Sequence, residues 1–308
     1  MTVRRLGMVI AFIAAITTCL GRVPAQAAVT EPPEVGAQIV GGQPADGAWT
    51  VSLQSQRPDG TYRHTCGGAL IAPNWVVTVA ACVSPETAAN PPTLARAGSL
   101  EWQTGGSTAG LMEVIIHPAW EGLFTNAIAL VRLDRYLTSP EILPVTVPLG
   151  PNGLALVAGF GTTCDSDPED ADCLESISDR LLQLEEKRLP DSECSLNIPP
   201  FGELFNPDDM MCMVSADGEA KQACFGDGSS AVVAKAHRGY RLVGLAIADG
   251  DEVDPFRPFA CSTAPEGSPG ELFVLDIFAH VPWIAETIRQ RDPAAAERMV
   301  AIAAQAAG

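Results

Sequence analysis

The feature that most constrains this chain is a succession of short apolar segments separated by turn-forming residues. Examples are residues 49–53, 75–79 and 128–131 in the first half and 231–234 in the second, with Pro, Gly or Asn between such segments. Segments of this length and spacing are typical of β-strands in a barrel or a sandwich. The pattern therefore predicts an all-β protein and does not by itself choose between those two architectures.

The N-terminal residues have the features of a secretory signal. Arg4 and Arg5 precede an apolar run over residues 6–20, and small residues follow it. A transmembrane anchor is the alternative, but the run is shorter than the roughly 18 to 20 apolar residues that a span needs. We expect a signal peptide over residues 1–27, a propeptide-like segment over 28–38, and a secreted protein, extracellular or periplasmic.

The mature chain is expected to be strongly acidic. The sequence has 19 basic and 37 acidic residues, and loss of the three arginines of the signal leaves a net charge of −21. Such a surface repels nucleic acid and anionic lipid and favours solubility or basic partners. No later stretch is apolar enough to span a membrane. We therefore expect no nucleic-acid partner and no membrane span after signal removal.

Eight cysteines remain once the signal, which contains Cys19, is removed. They are Cys66, Cys82, Cys164, Cys173, Cys194, Cys212, Cys224 and Cys261. An even number in an exported chain favours four disulfides, for which about 105 connectivities exist. Zinc ligation is the alternative, but the chain has no C-x-x-C pair and its four histidines are scattered. We expect no metal and no other cofactor.

Three motifs follow one another along the chain. They are Ile-Val-Gly-Gly at residues 39–42, Cys-Gly-Gly-Ala-Leu-Ile at 66–71 and Cys-Phe-Gly-Asp-Gly-Ser-Ser-Ala at 224–231. Together they resemble the trypsin-like (chymotrypsin-fold, S1) serine proteases, in which the third motif reads C-x-G-D-S-G-G-P. The resemblance extends over residues 39–284, which is most of the mature chain.

The resemblance implies two antiparallel Greek-key β-barrels with a cleft between them and a C-terminal helix. It assigns residues 39–142 to the N-terminal barrel, 143–284 to the C-terminal barrel and 285–308 to a helical extension. Asp292 and Pro293 have the form of an N-cap and a first helical residue for that extension, which would lie in solvent or pack on a barrel. By family analogy the disulfides are Cys66–Cys82, Cys194–Cys212, Cys224–Cys261 and Cys164–Cys173.

The positions that the resemblance assigns to catalysis carry no reactive group. The family mechanism needs a hydroxyl nucleophile, an imidazole base and a carboxylate that orients the imidazole. The corresponding residues here are Gly228, Ala81 and Ala127. In a well-studied protease, loss of the nucleophile or the base alone costs about 2 × 10⁶ in turnover. We therefore expect a pseudoenzyme, a non-catalytic protein that binds a protein or peptide ligand.

Several other family positions are retained. Ile39 and Asp227 match the pair that forms in the family when cleavage before Ile39 releases an ammonium group. Gln38, however, stands where the family has Arg or Lys, so a trypsin-like activator is not expected to cut there. Gly226 and Gly228 match the residues whose amides form the oxyanion hole. The resemblance thus predicts that parts of the protease frame persist.

The expected specificity pocket has changed, and two alternative functions stay open. Gln222, Ile247 and Asp249 occupy the pocket positions, and a side chain at Asp249 would crowd the entrance where the family has glycine. An endopeptidase that uses displaced groups, Ser229 with His64, is the first alternative. A structural role without any partner is the second.

Overall fold

The computed structural model describes residues 39, 41–88, 90–122, 124–137, 141–161, 177–198, 202–219, 221, 223, 226–249 and 271–307. The predicted signal and propeptide lie outside these residues. The strands are β1 (Gln43–Pro44), β2 (Ser52–Gln56), β3 (Tyr62–Cys66), β4 (Ala69–Ala72), β5 (Trp75–Val79), β6 (Leu94–Ala97), β7 (Ser107–Ile116), β8 (Ile128–Leu133), β9 (Leu154–Gly159), β10 (Leu182–Arg188), β11 (Asn197–Ile198), β12 (Gly202–Glu203), β13 (Met210–Ser215), β14 (Ala231–Lys235), β15 (Tyr240–Asp249) and β16 (Glu271–Asp276). The helices are α1 (Ala80–Val83), α2 (Val281–Arg291) and α3 (Pro293–Ala307), with 3₁₀ turns at Asp191–Glu193 and Ile277–His280.

The first sheet contains seven antiparallel strands in the order β3-β2-β6-β7-β8-β5-β4. A bridge between Thr50 and Ala69 joins the edge strand β4 to the segment that leads into β2, which closes the sheet on itself. Its interior is filled by apolar side chains that include Leu53, Val76 and Val131. The barrel encloses these side chains and removes them from water, which is its main source of stability.

The second sheet has the order β1-β10-β13-β16-β15-β14-β9, and β9 also pairs with β10. Six strands thereby close into a barrel whose interior includes Val157, Met211 and Val274. The prediction of an all-β protein with two barrels is confirmed. The domain boundary between residues 142 and 143 stays a prediction, and β1 pairs across it with β10.

Strand β5 is buried on both faces, which explains its uninterrupted run of bulky residues. Trp75 and Val77 lie in the core shared by the two sheets, whereas Val76 points into the interior of the first. Successive side chains of a strand point to opposite faces, so a strand between two cores has no solvent-facing side. Each fully buried side chain of this size contributes about 1.5–3 kcal/mol. This strand leads directly into α1 and fixes its position.

The C-terminal extension packs on the protein, with Ala295 and Ala296 buried in the shared core. The Asp292 carboxylate accepts a hydrogen bond from the Ala295 amide at 3.0 Å, as expected of an N-cap. It also accepts one from the Asn74 side chain at 3.2 Å, which ties the helix to the turn before β5. Within the part of the chain that the structure describes, no helix is long and apolar enough to cross a membrane.

Two of the four disulfides implied by the resemblance are confirmed. Cys66 bonds Cys82, and Cys194 bonds Cys212. The other two pairs fall on Cys164, Cys173, Cys224 and Cys261, which lie outside the described residues. Among the residues described, no group of three His, Cys, Asp or Glu side chains could hold a metal ion.

Candidate functional site

The positions that sequence motifs assign to base and carboxylate are neighbours at one corner of the first barrel. Ala81 lies in α1, directly after β5, and is exposed. Ala127 is buried immediately before β8. The Ala80 amide donates to the Ala127 carbonyl at 2.9 Å and so holds the two segments together. Neither methyl side chain can accept or donate a proton.

The nucleophile position is joined to this corner through Cys66 and Gly67. The Cys66–Cys82 disulfide fastens α1 to the end of β3. The next residue, Gly67, donates its amide to the Gly228 carbonyl at 2.8 Å. A Cβ on Gly67 would lie 2.7 Å from the Ser229 carbonyl oxygen, so only glycine permits this approach. The structure therefore brings positions 81, 127 and 228 into one linked region.

Asp227 is completely buried beside the nucleophile position. Its carboxylate accepts a hydrogen bond from the Gly161 amide at 2.7 Å. Side chains on Gly159 or Gly161 would collide with the carboxylate, which gives a physical reason for both glycines. Ile39 is also completely buried, against Leu182 and Leu184. The pairing of Ile39 with Asp227 stays a prediction.

Ser229, the displaced nucleophile of the alternative hypothesis, is fully buried. Its hydroxyl accepts the Val79 amide at 2.7 Å and lies 2.8 Å from the hydroxyl of Thr78. Its φ is +64°, a backbone conformation that is costly for a residue with a side chain. The buried hydroxyl is thus committed to β5 and has no access to a substrate.

His64, the displaced base of the same hypothesis, is buried as well. Its Nδ1 is 2.8 Å from the Ser52 hydroxyl and its Nε2 is 3.1 Å from the Gly226 carbonyl. Burial lowers the pKa of His64 to about 4. A neutral ring that donates from Nε2 accepts the Ser52 hydroxyl proton at Nδ1. Both ring nitrogens are therefore bonded within the protein, and Ser229 is not among their partners.

The remaining predicted site residues are only partly described. Gly226 and Gly228, expected to form the oxyanion hole, are half-buried. Ile247 is buried in β15, and the backbone of Asp249 ends that strand opposite Leu272. Gln222 and the side chain of Asp249 lie outside the described residues, so the proposed crowding of the pocket entrance stays a prediction.

A polar cluster that the sequence did not indicate supports the segment before Ala127. His280 Nε2 lies 2.5 Å from one Asp209 carboxylate oxygen, and the other oxygen accepts the Asn126 amide at 2.6 Å. His117 lies edge-on to His280, with ring centroids 5.8 Å apart. Burial, followed by the nearby charge of His280, lowers the pKa of His117. These residues come from three distant parts of the chain, the connection between β7 and β8 and the segments around positions 209 and 280, so no local pattern could have grouped them.

The chain has the features of the chymotrypsin-fold class of proteins. These are two antiparallel barrels, two disulfides at the family positions and a buried aspartate between two glycines of a turn. A family model described as Trypsin matches residues 39–258. The chain therefore belongs to the trypsin family of serine proteases. The match extends through most of both barrels and ends before α2.

Three curated relatives are similar to part of the chain. Chymotrypsin-C of Bos taurus is 35% identical over 137 residues, which are 43% of this chain and 51% of the relative. Chymotrypsin-C of Rattus norvegicus is 34% identical over 129 residues, 41% of this chain and 46% of the relative. The Mus musculus protein of the same name is 34% identical over 120 residues, which are 38% of this chain and 44% of the relative. The chain spans about half the length of the curated relatives it matches.

Proposed function

We propose that this chain is an exported, catalytically silent member of the trypsin family that binds a protein or peptide through its former active-site region. The observation that carries the proposal is the set of residues at the three catalytic positions, Ala81, Ala127 and Gly228. These are the positions that would supply base, orienting carboxylate and nucleophile. With all three groups missing, the reaction cannot start.

The chemistry of acyl transfer supports this conclusion. A nucleophile must attack the peptide carbonyl, and a base must take its proton and return it to the leaving amine. Amides of Gly226 and Gly228 would stabilise a tetrahedral intermediate, but no group is present to form it. In a protease whose oxyanion hole and binding site are intact, loss of the triad leaves a rate about 10³ to 10⁴ times the uncatalysed rate. Such a rate is too slow for digestion.

An endopeptidase that uses Ser229 and His64 is the second candidate, and the geometry gives it little support. The Ser229 hydroxyl is buried and bonded to Val79 and Thr78. The His64 ring is bonded to Ser52 and Gly226 and is neutral above about pH 4. A base must lie within hydrogen-bond reach of the proton it removes, and the two side chains bond elsewhere.

Export and the class of partner are part of the proposal. The signal-like N-terminus supports export, and the Cys66–Cys82 and Cys194–Cys212 disulfides fit an oxidising compartment. The acidic charge disfavours nucleic acid as the ligand. A cleft that once held peptide substrates favours a protein or peptide instead.

Incubation of the mature protein with a broad peptide panel tests the absence of catalysis. We expect no turnover above the buffer blank. A variant with Ala81→His, Ala127→Asp and Gly228→Ser serves as the matched protein in which all three groups are present. Specific cleavage by the unmodified protein, retained after further purification, would overturn the proposal.

Capture from the native secretome tests the binding role. We expect one protein or peptide to bind at fixed stoichiometry to the mature protein and not to an unrelated acidic exported protein used as control bait. The absence of any such ligand under native conditions would favour the purely structural role.

A further inference from the structure

The connection between β7 and β8, residues 117–127, is held at both of its ends by contacts with the second barrel and α2; the structure describes all of it except residue 123. It ends at Ala127, one of the three positions that the family uses for catalysis. We propose that His117 is a pH-sensitive residue that holds this connection in place when its ring is neutral and releases it when the ring is protonated. The inference rests on the proposed function only in treating Ala127 as part of the binding region.

The C-terminal end of the connection is fixed by a buried carboxylate. Asp209, directly before β13, accepts the Asn126 amide at 2.6 Å with one carboxylate oxygen. Its other carboxylate oxygen lies 2.5 Å from His280 Nε2. The Asp209 carbonyl also accepts the Asp276 amide at 2.9 Å. Both carboxylate oxygens are therefore engaged within the protein, and this end of the connection is bonded to the second barrel.

The N-terminal end of the connection is fixed by the half-buried ring of His117. The ring lies edge-on to Trp283 of α2, with centroids 4.8 Å apart, and to His280, with centroids 5.8 Å apart. Its Nδ1 accepts the Ala119 amide at 3.3 Å. An imidazole nitrogen that accepts a hydrogen bond carries no proton. This arrangement therefore requires a neutral His117 ring with its proton on Nε2.

Protonation of His117 opposes these contacts. A proton added to the neutral ring goes to Nδ1, where it meets the Ala119 N–H and removes the acceptor for that amide. The ring then carries a positive charge beside His280 while it is partly out of water. Burial, followed by the nearby charge of His280, lowers the pKa of His117, and Asp209 acts in the opposite direction. The protonated ring is therefore more stable in solvent than in the closed connection.

The charged groups around the cluster do not compensate for a proton on His117. Within the described part of the chain, the ionisable groups that act on this ring are His280, in the 3₁₀ turn before α2, and Asp209. Asp276 at the end of β16 and Arg188 at the end of β10 are the next charged groups. Burial raises the pKa of Asp276, whereas Arg188 and His280 act on it in the opposite direction. The carboxylate that acts on His117 is already engaged by His280 and by a backbone amide.

The direction of the pH effect follows from these contacts. In the released connection the His117 ring is in water with its ordinary pKa of about 6.5, whereas its pKa is lower in the closed connection. Release is therefore accompanied by proton uptake and becomes more favourable as the pH falls below about 6.5. Between pH 7.5 and 5.0 the release equilibrium increases at most about thirtyfold, and we expect about tenfold because the closed form also binds some protons.

Hydrogen exchange of the mature protein at pH 7.5 and 5.0 tests the proposal. Exchange rates of peptides covering residues 117–127 are divided by the intrinsic rate at each pH, which gives the protection of the connection. We expect this protection to be about tenfold lower at pH 5.0 in the parent protein. A decrease of less than about threefold would overturn the proposal.

His117→Asn isolates the contribution of this ring. Asparagine does not titrate, and its side-chain oxygen takes a place similar to that of Nδ1, so the Ala119 amide keeps an acceptor. We expect this variant to retain the protection at pH 7.5 and to lose most of the decrease at pH 5.0. His237→Asn is the matched control, since His237 is exposed between β14 and β15, and it should behave as the parent does. An undiminished decrease in His117→Asn would assign the effect to another group and overturn the proposal.

His117→Gln, which also has no titrating ring, replaces His117→Asn if the asparagine variant does not fold. Every variant keeps His64, so the effect of that residue on global unfolding is the same in all of them. These readouts involve neither turnover nor ligand capture. Absence of the pH effect would leave the proposed function standing, and specific cleavage by the unmodified protein would leave this inference standing.

Discussion

The loop formed by residues 226–230 and the corner that contains Ala81 and Ala127 lie beside each other but differ in how they are held. The loop is fixed by polar side chains as well as by its backbone, among them Asp227, Ser229 and His64. The corner is fixed by a backbone hydrogen bond from Ala80 to Ala127 and by a disulfide. Its two side chains at the catalytic positions contribute no polar contact.

In an active protease this region has residues that maintain the fold and residues that perform the chemistry, and the two groups can be told apart here. Polar residues that the fold needs are retained, because burial of a polar group without its partner costs about 1–3 kcal/mol. If the chain is catalytically silent, as we propose, groups needed only for chemistry contribute nothing to the fold, and alanine can occupy their positions without loss of stability. We therefore expect substitutions in the loop to change stability strongly and substitutions in the corner to change it weakly.

The largest effect is expected for Asp227→Ala. The substitution removes the carboxylate that accepts the Gly161 amide and leaves a void among buried groups. Urea unfolding should give a loss of about 3 kcal/mol. Asp208→Ala is the control, since Asp208 is exposed, and it should change the free energy of unfolding by less than about 0.5 kcal/mol. Equal effects of the two substitutions would show that the buried Asp227 carboxylate does not stabilise the loop.

A decrease in pH is expected to lower the free energy of unfolding by nearly as much as Asp227→Ala does. Burial lowers the pKa of His64 from 6.5 to about 4. The unfolded chain therefore binds a proton that the folded chain does not over this interval. Stability from His64 is full above about pH 6.5, falls as the pH decreases, and levels off below about pH 4. The total loss is about 3 kcal/mol.

Urea unfolding across that interval measures this dependence, and His64→Gln provides the reference. The glutamine variant should lose the part of the slope that His64 contributes between pH 6.5 and about 4. A variant that keeps the full slope would mean that the ring titrates normally in the folded protein.

A smaller effect is expected where α3 joins the first barrel. Asp292→Ala removes the N-cap of the helix and the contact with Asn74. Caps of this kind contribute about 1 kcal/mol. Thermal unfolding should therefore show a modest decrease in Tm, whereas Asp292→Asn, which keeps a capping oxygen, should lie closer to the parent. A Tm equal to the parent's in Asp292→Ala would show that α3 adds no stability to the barrel.

The smallest effect is expected for Ala81→His. This residue is exposed in α1 and its side chain makes no polar contact. The free energy of unfolding should change by less than about 0.5 kcal/mol. The single variant should also be inactive, since an imidazole without a nucleophile has no proton to take. Measurable cleavage after this one change would mean that a second catalytic group is present.

Much of the fold could be predicted from the sequence because the signals are local. Short apolar segments between turn-forming residues indicate the strands, and the Asp292-Pro293 pair marks the start of α3 at Pro293. The Cys66–Cys82 and Cys194–Cys212 disulfides followed from the family pattern. Motif positions also placed Ala81, Ala127 and Gly228 in one region without any coordinates.

The structural use of the polar residues could not be predicted in the same way. Ser229 bonds a residue 150 positions away, and the Asp209 carboxylate joins segments 83 residues apart. Nothing near these residues in the sequence encodes their partners. The burial and hydrogen bonds of Ser229 and His64 therefore favour a role in holding the frame over a role as a displaced catalytic pair.

The absence of an activated serine is tested most directly by labelling the mature, native protein with an organophosphonate that reacts with activated serine, followed by intact-mass measurement. We expect no added mass under conditions that label an active protease of this family completely, because Gly228 provides no hydroxyl and Ser229 is buried. Stoichiometric addition at a single serine, lost on heat denaturation, would contradict it.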